Sequence, residues 1–169
     1  LYDSKLFIKQ LNVLFEDVQT VPTPRQLLAT TLAVTHNLTF ITGGPGMGKT
    51  WTVRNILALR MIQQHAQYPD TPLRIALAAP TGKAAARMKE SLCDNLRAEL
   101  VDKLAHLMPD GLHADQLHNQ LLTLETSTIH RLLGYNPRVA TQFRHDEENP
   151  LPLDLVVVDE ASMIDLALF

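Results

Sequence analysis

The segment GGPGMGKT at residues 43–50 constrains this chain more than any other feature of its sequence. It matches the pattern G-x-x-x-x-G-K-[ST], in which glycines let a loop turn tightly and aim backbone N–H groups at phosphate oxygens. The flanking residues predict a short strand at 38–41 and a helix at 48–66, which is the context that such a loop requires. The segment therefore predicts a phosphate-binding loop. The alternative is a glycine-rich turn that binds nothing.

The side chains of this loop have separate expected roles. Lys49 is expected to reach the β- and γ-phosphates of a nucleotide, and the Thr50 hydroxyl to bind Mg²⁺. The positive end of the following helix dipole adds to the attraction. The residues predicted to bind the nucleotide are Gly43, Gly44, Pro45, Gly46, Met47, Gly48, Lys49, Thr50 and Trp51.

A second candidate element lies at residues 153–160, LDLVVVDE. Its continuous apolar run, 155–158, predicts a parallel strand buried on both faces. Ligands of open α/β sheets bind at the carboxyl ends of the strands, where Asp159 and Glu160 stand. Asp159 is thus expected to hold Mg²⁺ through water, and Glu160 to act as general base on the hydrolytic water. The alternative is an ordinary acidic turn between a strand and a helix.

The order of predicted elements indicates an α/β fold with a central parallel sheet flanked by helices. The proposed division is an N-terminal helix and connector at 1–22 and an ATPase domain at 23–169. A low-definition helical insertion and a long surface loop are expected at 105–124 and 134–152. The remaining predicted elements are helices at 4–18, 24–36, 83–104 and 128–133, the last capped by Thr126 or Ser127, and a strand at 73–79.

The composition of this chain of 169 residues limits its expected compartment and binding partners. No apolar run approaches the roughly 18 residues that span a bilayer, and no signal peptide is visible. The single cysteine, Cys93, excludes an intrachain disulfide and fits the cytoplasm. A net charge of −3 argues against a generally basic nucleic-acid surface but leaves room for a local groove. Because the chain starts at Leu1 and stops at Phe169, just after a strand, we expect a fragment of a longer protein.

Gln26 is a candidate for reading the base of the nucleotide. A glutamine amide can pair with both the N6 donor and the N7 acceptor of adenine, which would select ATP over GTP. The alternative is a capping box, because Thr23 and Gln26 also fit the pattern T-x-x-Q at a helix start.

The segment at 77–92 predicts a second phosphate site. The predicted strand at 73–79 is broken by Pro80, after which Thr81 and Lys83 place a hydroxyl and an ammonium group beside backbone N–H groups at a helix start. A phosphate of a nucleic-acid backbone would fit there. Arg87 follows one turn later on the same face. The alternative is a capped helix with solvated basic residues.

The segment TSTIHRLLGY at 126–135 combines hydroxyl, imidazole, guanidinium and aromatic groups. Thr128, His130, Arg131 and Tyr135 supply them, and this mixture suits single-stranded nucleic acid, where phosphates meet charge and bases stack. The alternative is that His130 packs against the neighbouring leucines.

Together these segments resemble the RecD family, the alpha subunits of bacterial exodeoxyribonuclease V, which are superfamily-1 helicases that run 5′→3′. The resemblance covers residues from about 20 to 169 and implies a RecA-like ATPase domain truncated after its Walker B strand. It implies that Gln26 reads adenine, and that Pro80, Thr81, Lys83, Thr128 and His130 contact single-stranded DNA. The motifs that carry it are GGPGMGKT, LAAPTGKAAARM, STIHRLLG and LDLVVVDEASMID.

The resemblance also implies cofactors and partners: ATP and Mg²⁺, single-stranded DNA, and the RecB and RecC subunits, with which such a motor unwinds DNA at double-strand breaks. Met47 and Trp51 depart from the small polar residues usual beside the loop, and we expect tuning rather than loss. The family's second motor domain, with arginines that raise the rate about 10³–10⁵-fold, has no counterpart here. We therefore expect this chain alone to bind ATP with Mg²⁺ weakly and to hydrolyse it poorly or not at all. The alternatives are a small-molecule phosphotransferase and a non-catalytic assembly module.

Overall fold

The computed structural model describes residues 4–16, 24–93, 112–136 and 143–165. These ranges contain six helices and three strands, with at least one helix between successive strands, as in an α/β fold. They end in a single 3₁₀ turn at Ala161–Met163. The elements are α1 (Ser4–Glu16), α2 (Pro24–Thr35), α3 (Lys49–Gln67), β1 (Ile75–Ala79), α4 (Gly82–Cys93), α5 (Ala114–Leu122), β2 (Glu125–Thr128), α6 (Ile129–Leu132) and β3 (Leu155–Val158).

The chain divides into two compact units, one of Leu1–Leu73 with Leu92–Leu121 and one of Arg74–Ser91 with Leu122–Phe169. The first unit is helical and is built around α3, whose middle is buried on all sides. The Arg60 guanidinium on α3 donates to the backbone carbonyl of Ala33 on α2 at 3.4 Å, which ties the two helices together. Fully buried residues of this unit are Gln10, Asn55, Leu57, Leu59, Ile62, Leu92, Leu117 and Leu121.

The N-terminal helix belongs to this first unit. The ring of Phe15 on α1 meets the ring of Trp51 on α3 edge to face, with centroids 5.4 Å apart. Aromatic pairs of this geometry stabilise by about 0.5–1.5 kcal/mol beyond the area they bury. Helix α1 therefore packs on the helix that follows the phosphate loop.

The second unit contains a parallel sheet in the order β2-β1-β3. Strand β1 lies in the centre of the sheet, paired with a strand on each side, and all of its residues are buried. Strand β3 pairs with β1 and lies at an edge, and its Val156 and Val158 are 37% and 40% exposed. The prediction that this apolar run is buried on both faces is wrong, since one face of an edge strand is left partly open in the described part of the chain.

An ion pair aligns the starts of β1 and β3. The Arg74 guanidinium donates to the two carboxylate oxygens of Asp154 at 3.0 and 2.7 Å, and the Arg74 backbone N–H donates to the same carboxylate at 2.9 Å. These hydrogen bonds lower the pKa of Asp154 to about 2. The pairing fixes the register of two strands whose opposite ends carry candidate site residues.

One predicted strand and one predicted helix cap are corrected by the structure. Residues 38–41 form no strand, although the helix after the loop is present as α3. Leu38 and Phe40 are 68% and 61% exposed, and a strand forms only where a neighbouring backbone pairs with it. Thr126 and Ser127 lie inside β2 instead of capping the next helix.

The other predicted helices keep their places with different bounds. Helix α4 is seen over Gly82–Cys93, and the rest of the predicted helix at 83–104 lies outside the described residues. The predicted insertion at 105–124 contains α5 in its described part. The loop at 134–152 has neither helix nor strand where it is described. No helix among the described residues has the length and apolar character needed to cross a bilayer.

Candidate functional site

The phosphate loop enters α3 through glycines that the backbone requires. Gly46 and Gly48 have φ angles of +73° and +75°, in the left-handed region that side chains disfavour. Gly48 caps α3. The Lys49 ammonium group folds back over the loop and donates to the carbonyls of Gly43 and Gly44 at 2.5 and 3.0 Å. The Lys49 ammonium group is thus held by two backbone carbonyls of its own loop.

This arrangement fits the phosphates of a nucleotide. Residues 43–47 are exposed, and a Cβ added at Gly46 would meet nothing within 4 Å, so the loop is open to a ligand. The first N–H groups of a helix lack partners within the helix and can donate to an anion. The Thr50 hydroxyl lies exposed on this first turn, and its oxygen has the hard character that Mg²⁺ prefers.

Gln26 reaches the loop from α2. Its amide nitrogen donates to the carbonyl of Met47 at 3.2 Å. A Cβ added at Gly48 would lie 2.5 Å from the same nitrogen, so the approach of Gln26 needs a glycine there. The capping partner proposed from the sequence, Thr23, lies outside the described residues. A contact between Gln26 and the loop was not predicted, and no local sequence pattern signals it.

The two departures from the usual loop sequence differ in environment. Met47 is 59% exposed, on the open side of the loop. Trp51 is half-buried and packs against Phe15 as described above. The Trp51 side chain therefore has a packing role, whatever its backbone contributes to a ligand.

At the start of α4, Thr81 acts as a cap. Its hydroxyl accepts a hydrogen bond from the backbone N–H of Ala84 at 3.2 Å. Lys83 and Arg87 are exposed on the first two turns, and Pro80 is half-buried at the end of β1. The capped helix start, which is the alternative interpretation of this segment, is therefore present, and the cationic side chains of Lys83 and Arg87 lie exposed beside it.

The Thr128 hydroxyl caps α6 by accepting from the backbone N–H of Arg131 at 3.3 Å. Helix α6 then ends in a Schellman motif: the N–H of Tyr135 donates to the carbonyl of His130, and the N–H of Gly134 to that of Arg131, at 2.8 and 3.1 Å. His130 is exposed and does not pack among the leucines, contrary to the alternative interpretation of the sequence.

Gly134→Ala is expected to destabilise the protein by about 1–3 kcal/mol, because a side chain at a φ of +70° is strained. The added Cβ would also lie 2.6 Å from the Cβ of Arg144. Urea denaturation checks this, with Gly82→Ala as the matched control, since nothing lies within 4 Å of a Cβ at Gly82. Equal stabilities of the two variants would contradict the prediction.

The acidic pair follows β3 directly. The backbone N–H of Asp159 donates to the carbonyl of Ala78 at 2.9 Å, which continues the pairing with β1. An Asp159 carboxylate oxygen accepts from the N–H of Glu160 at 2.8 Å. Glu160 has a φ of +52°, the only positive value at a non-glycine among the described residues. Such a conformation costs about 1–2 kcal/mol and is often found at functional sites.

The parallel sheet brings three of these turns to one edge. Strands β1, β2 and β3 end at Ala79, Thr128 and Val158, and the carboxyl ends of parallel strands share an edge. The edge therefore carries the turn with Thr81 and Lys83, the turn with Thr128 and His130, and the pair Asp159 and Glu160. The phosphate loop lies in the other compact unit.

Comparison with known proteins bears on this edge and on the loop. Residues 26–169 match a family model described as an AAA domain, which covers well over half of the chain. The chain belongs to the AAA domain family. This AAA domain has the α/β fold with a parallel sheet that the sequence predicts, so the predicted fold class is confirmed.

The AAA domain is similar to three curated proteins of greater length. It is 43% identical over 143 residues to "RecBCD enzyme subunit RecD" of Mycolicibacterium smegmatis, covering 85% of this chain and 23% of the relative. It is 38% identical to the subunit of the same name from Haemophilus influenzae, over 83% of this chain and 20% of the relative. It is 35% identical to "ATP-dependent RecD2 DNA helicase" of Deinococcus radiodurans, over 79% of this chain and 13% of the relative.

These relatives confirm the resemblance to RecD that the motifs indicate. The chain spans less than a quarter of the length of each relative. Family membership implies the use of a nucleotide.

Proposed function

We propose that this chain is the nucleotide-binding part of an ATP-driven DNA helicase of the RecD type. The observation that carries the proposal is the gathering of Asp159 and Glu160 with two polar turns at one edge of the sheet. A phosphotransferase needs an acidic pair but has no use for the turns at Thr81 and His130. The names of the relatives, RecBCD subunits and a DNA helicase, also favour the motor over the phosphotransferase and the assembly module.

In this proposal the nucleotide is ATP bound with Mg²⁺. Lys49 exchanges the carbonyls of Gly43 and Gly44 for phosphate oxygens, and the loop N–H groups donate to the same phosphates. Thr50 and Asp159 would hold Mg²⁺, which would supply positive charge to offset that of the phosphates. Glu160 would orient a water molecule and accept its proton as the water attacks the γ-phosphorus. The bond from the γ-phosphorus to the β–γ bridging oxygen breaks in the same step, so that ADP and phosphate are the products.

The DNA contacts are proposed for the two polar turns. Thr81 and Lys83 would bind a phosphate of a single strand, with Pro80 shaping the approach, and Thr128 and His130 would bind another. Both capping hydroxyls already accept a backbone N–H, so the exposed ammonium and imidazole groups supply most of the attraction. Binding should weaken with salt, since it releases counterions from the strand.

The larger assembly is proposed from the relatives. Residues 23–169 would form part of a first motor domain, and ATP would close a cleft against a second one to move the strand. RecB and RecC would be the partners, in the cytoplasm, on DNA at double-strand breaks. Hydrolysis by this chain alone would be poor, because the arginines of a second motor domain are needed for fast turnover.

Gln26→Ala is expected to reduce the preference for ATP over GTP by roughly 5- to 150-fold, the value of a bidentate pair of about 1–3 kcal/mol. A second, separate effect should be common to all three ligands: affinity for ATP, for GTP and for tripolyphosphate should each fall by a further factor of about 5, because the amide supports the loop through Met47. Dissociation constants measured with Mg²⁺ by calorimetry test both effects.

The matched control for this experiment is Gln67→Ala, an exposed glutamine at the end of α3 in the same compact unit. It should bind all three ligands as the parent chain does. An unchanged ATP preference in Gln26→Ala would contradict adenine reading. An unchanged affinity for tripolyphosphate would contradict support of the loop.

A further inference from the structure

Three aromatic rings meet at the polar turn after β2: the ring of His130, already proposed to contact DNA, and two rings with no role assigned under the proposed function, those of Tyr135 and Phe143. The ring of Tyr135 lies edge to face with His130 at 5.4 Å and tilted against Phe143 at 6.0 Å between centroids. We call His130, Tyr135 and Phe143 the aromatic cluster. Tyr135 is 38% exposed, so part of its ring faces solvent.

The backbone holds the aromatic cluster in place. The Schellman motif at the end of α6 places the side chains of His130 and Tyr135 together, as such motifs commonly do. Tyr135 and Phe143 form an isolated antiparallel bridge. The N–H of Arg144 donates to the carbonyl of Gly134 at 3.1 Å, and that of His145 to Leu133 at 3.0 Å. Rings fixed in advance lose little conformational entropy on binding a ligand.

Charges around the aromatic cluster have both signs. Arg131 and Arg144 are exposed beside it and attract phosphates. Glu147 and Glu148 follow Phe143 closely in the sequence, are exposed and repel phosphates, while Asp146 accepts from the N–H groups of Glu148 and Asn149 at 3.0 Å each. Since these charges largely offset each other, attraction to the aromatic cluster would come mainly from the rings.

We propose that Tyr135, supported by Phe143, is a stacking site for an unpaired base of single-stranded DNA. The inference rests on the proposed function and adds to it a contact with a base, where the turns assigned above contact phosphates. Every base has a π-face, so stacking on an aromatic side chain is strong and tolerant of sequence. His130 would bind a phosphate while its ring holds Tyr135 in position for the neighbouring base.

Tyr135→Leu tests the site, because leucine keeps an apolar contact with Phe143 and removes the aromatic face. Affinity for oligothymidylate should fall about 5- to 150-fold in the leucine variant and stay near that of the parent chain in Tyr135→Phe. An abasic oligonucleotide of the same length should bind the parent chain and the leucine variant equally. Fluorescence anisotropy of labelled oligonucleotides gives these affinities.

The matched control is Tyr68→Leu, another exposed tyrosine, in the other compact unit, which should bind both oligonucleotides as the parent chain does. Equal affinities of Tyr135→Leu and the parent chain for oligothymidylate would overturn the inference. So would an equal loss on the abasic strand, which would indicate damage to the fold. Failure of the parent chain to bind either strand would instead overturn the proposed function, and the inference with it.

Tyr135→Trp provides a second test of the stacking site that does not depend on whether the leucine variant folds. Its added indole fluorescence should be quenched by oligothymidylate and unaffected by the abasic strand, since only a base can stack on it. The parent chain has one tryptophan, Trp51, which provides the background signal. Equal responses to the two strands would overturn the inference.

Discussion

Lys49→Ala is expected to lower kcat/KM for ATP hydrolysis by about 100-fold or more, comparable to the loss of one preorganised donor at a developing charge. The Lys49 ammonium group lies at the carbonyls of Gly43 and Gly44, within the concave loop that would receive the phosphates. No other side chain of the segment 43–50 carries a positive charge. A methyl group in its place would leave phosphate charge uncompensated.

The measurements for this variant are nucleotide affinity of this chain and steady-state hydrolysis by a protein that joins it to a second motor domain. Lys9→Ala is the matched control, because Lys9 is exposed on α1 in the same compact unit and far in sequence from the loop. Circular dichroism should show an intact fold in both variants. Hydrolysis unchanged by Lys49→Ala would contradict the assignment of the loop.

Glu160→Gln, made in a protein that joins this chain to a second motor domain, is expected to reduce kcat for ATP hydrolysis by about 10²–10⁴-fold, the usual contribution of a general base, while ATP binding is retained. Glutamine has nearly the same shape but cannot accept the proton of the attacking water. The left-handed backbone conformation of Glu160 also favours a functional role for this residue. Such a conformation costs about 1–2 kcal/mol and persists where the surrounding structure or the function requires it.

The backbone strain at Glu160 is tested by comparing the free energies of unfolding of two variants. Glu160→Gly should be more stable than Glu160→Gln by about 0.5–1 kcal/mol, the relief of strain less the entropy that glycine loses on folding. Both variants should have lost hydrolysis. Glu90→Gln, an exposed acid on α4 in the same unit, should change neither quantity. A Glu160→Gln variant that hydrolyses ATP at the parent rate would show that another group accepts the proton.

The sequence predicts the parts of this molecule that depend on local patterns. The glycine spacing predicts the loop and the start of α3, and the apolar run at 155–158 predicts β3. The run of β-prone residues at 38–41 fails as a predictor, because a strand also needs a partner, and local sequence does not specify one. For the same reason the exposure of Val156 and Val158 could not be foreseen from their apolar character.

The features that sequence did not predict depend on contacts between distant residues. Gln26 meets Met47 across 21 positions, and Arg74 meets Asp154 across 80. The strand β2 is short and polar, with the sequence ETST, and its strand character comes from pairing with β1. The left-handed φ of Glu160 has no signal in residue type, since glutamate seldom adopts it.

The most direct test of the central claim is the rate of ATP hydrolysis with and without oligothymidylate. It is best made on a protein that joins this chain to the second motor domain implied by the resemblance to RecD. We predict a large stimulation by the single strand, lost in Lys49→Ala and absent with small-molecule phosphate acceptors. Turnover that is indifferent to DNA would contradict the motor and favour the phosphotransferase or the assembly module.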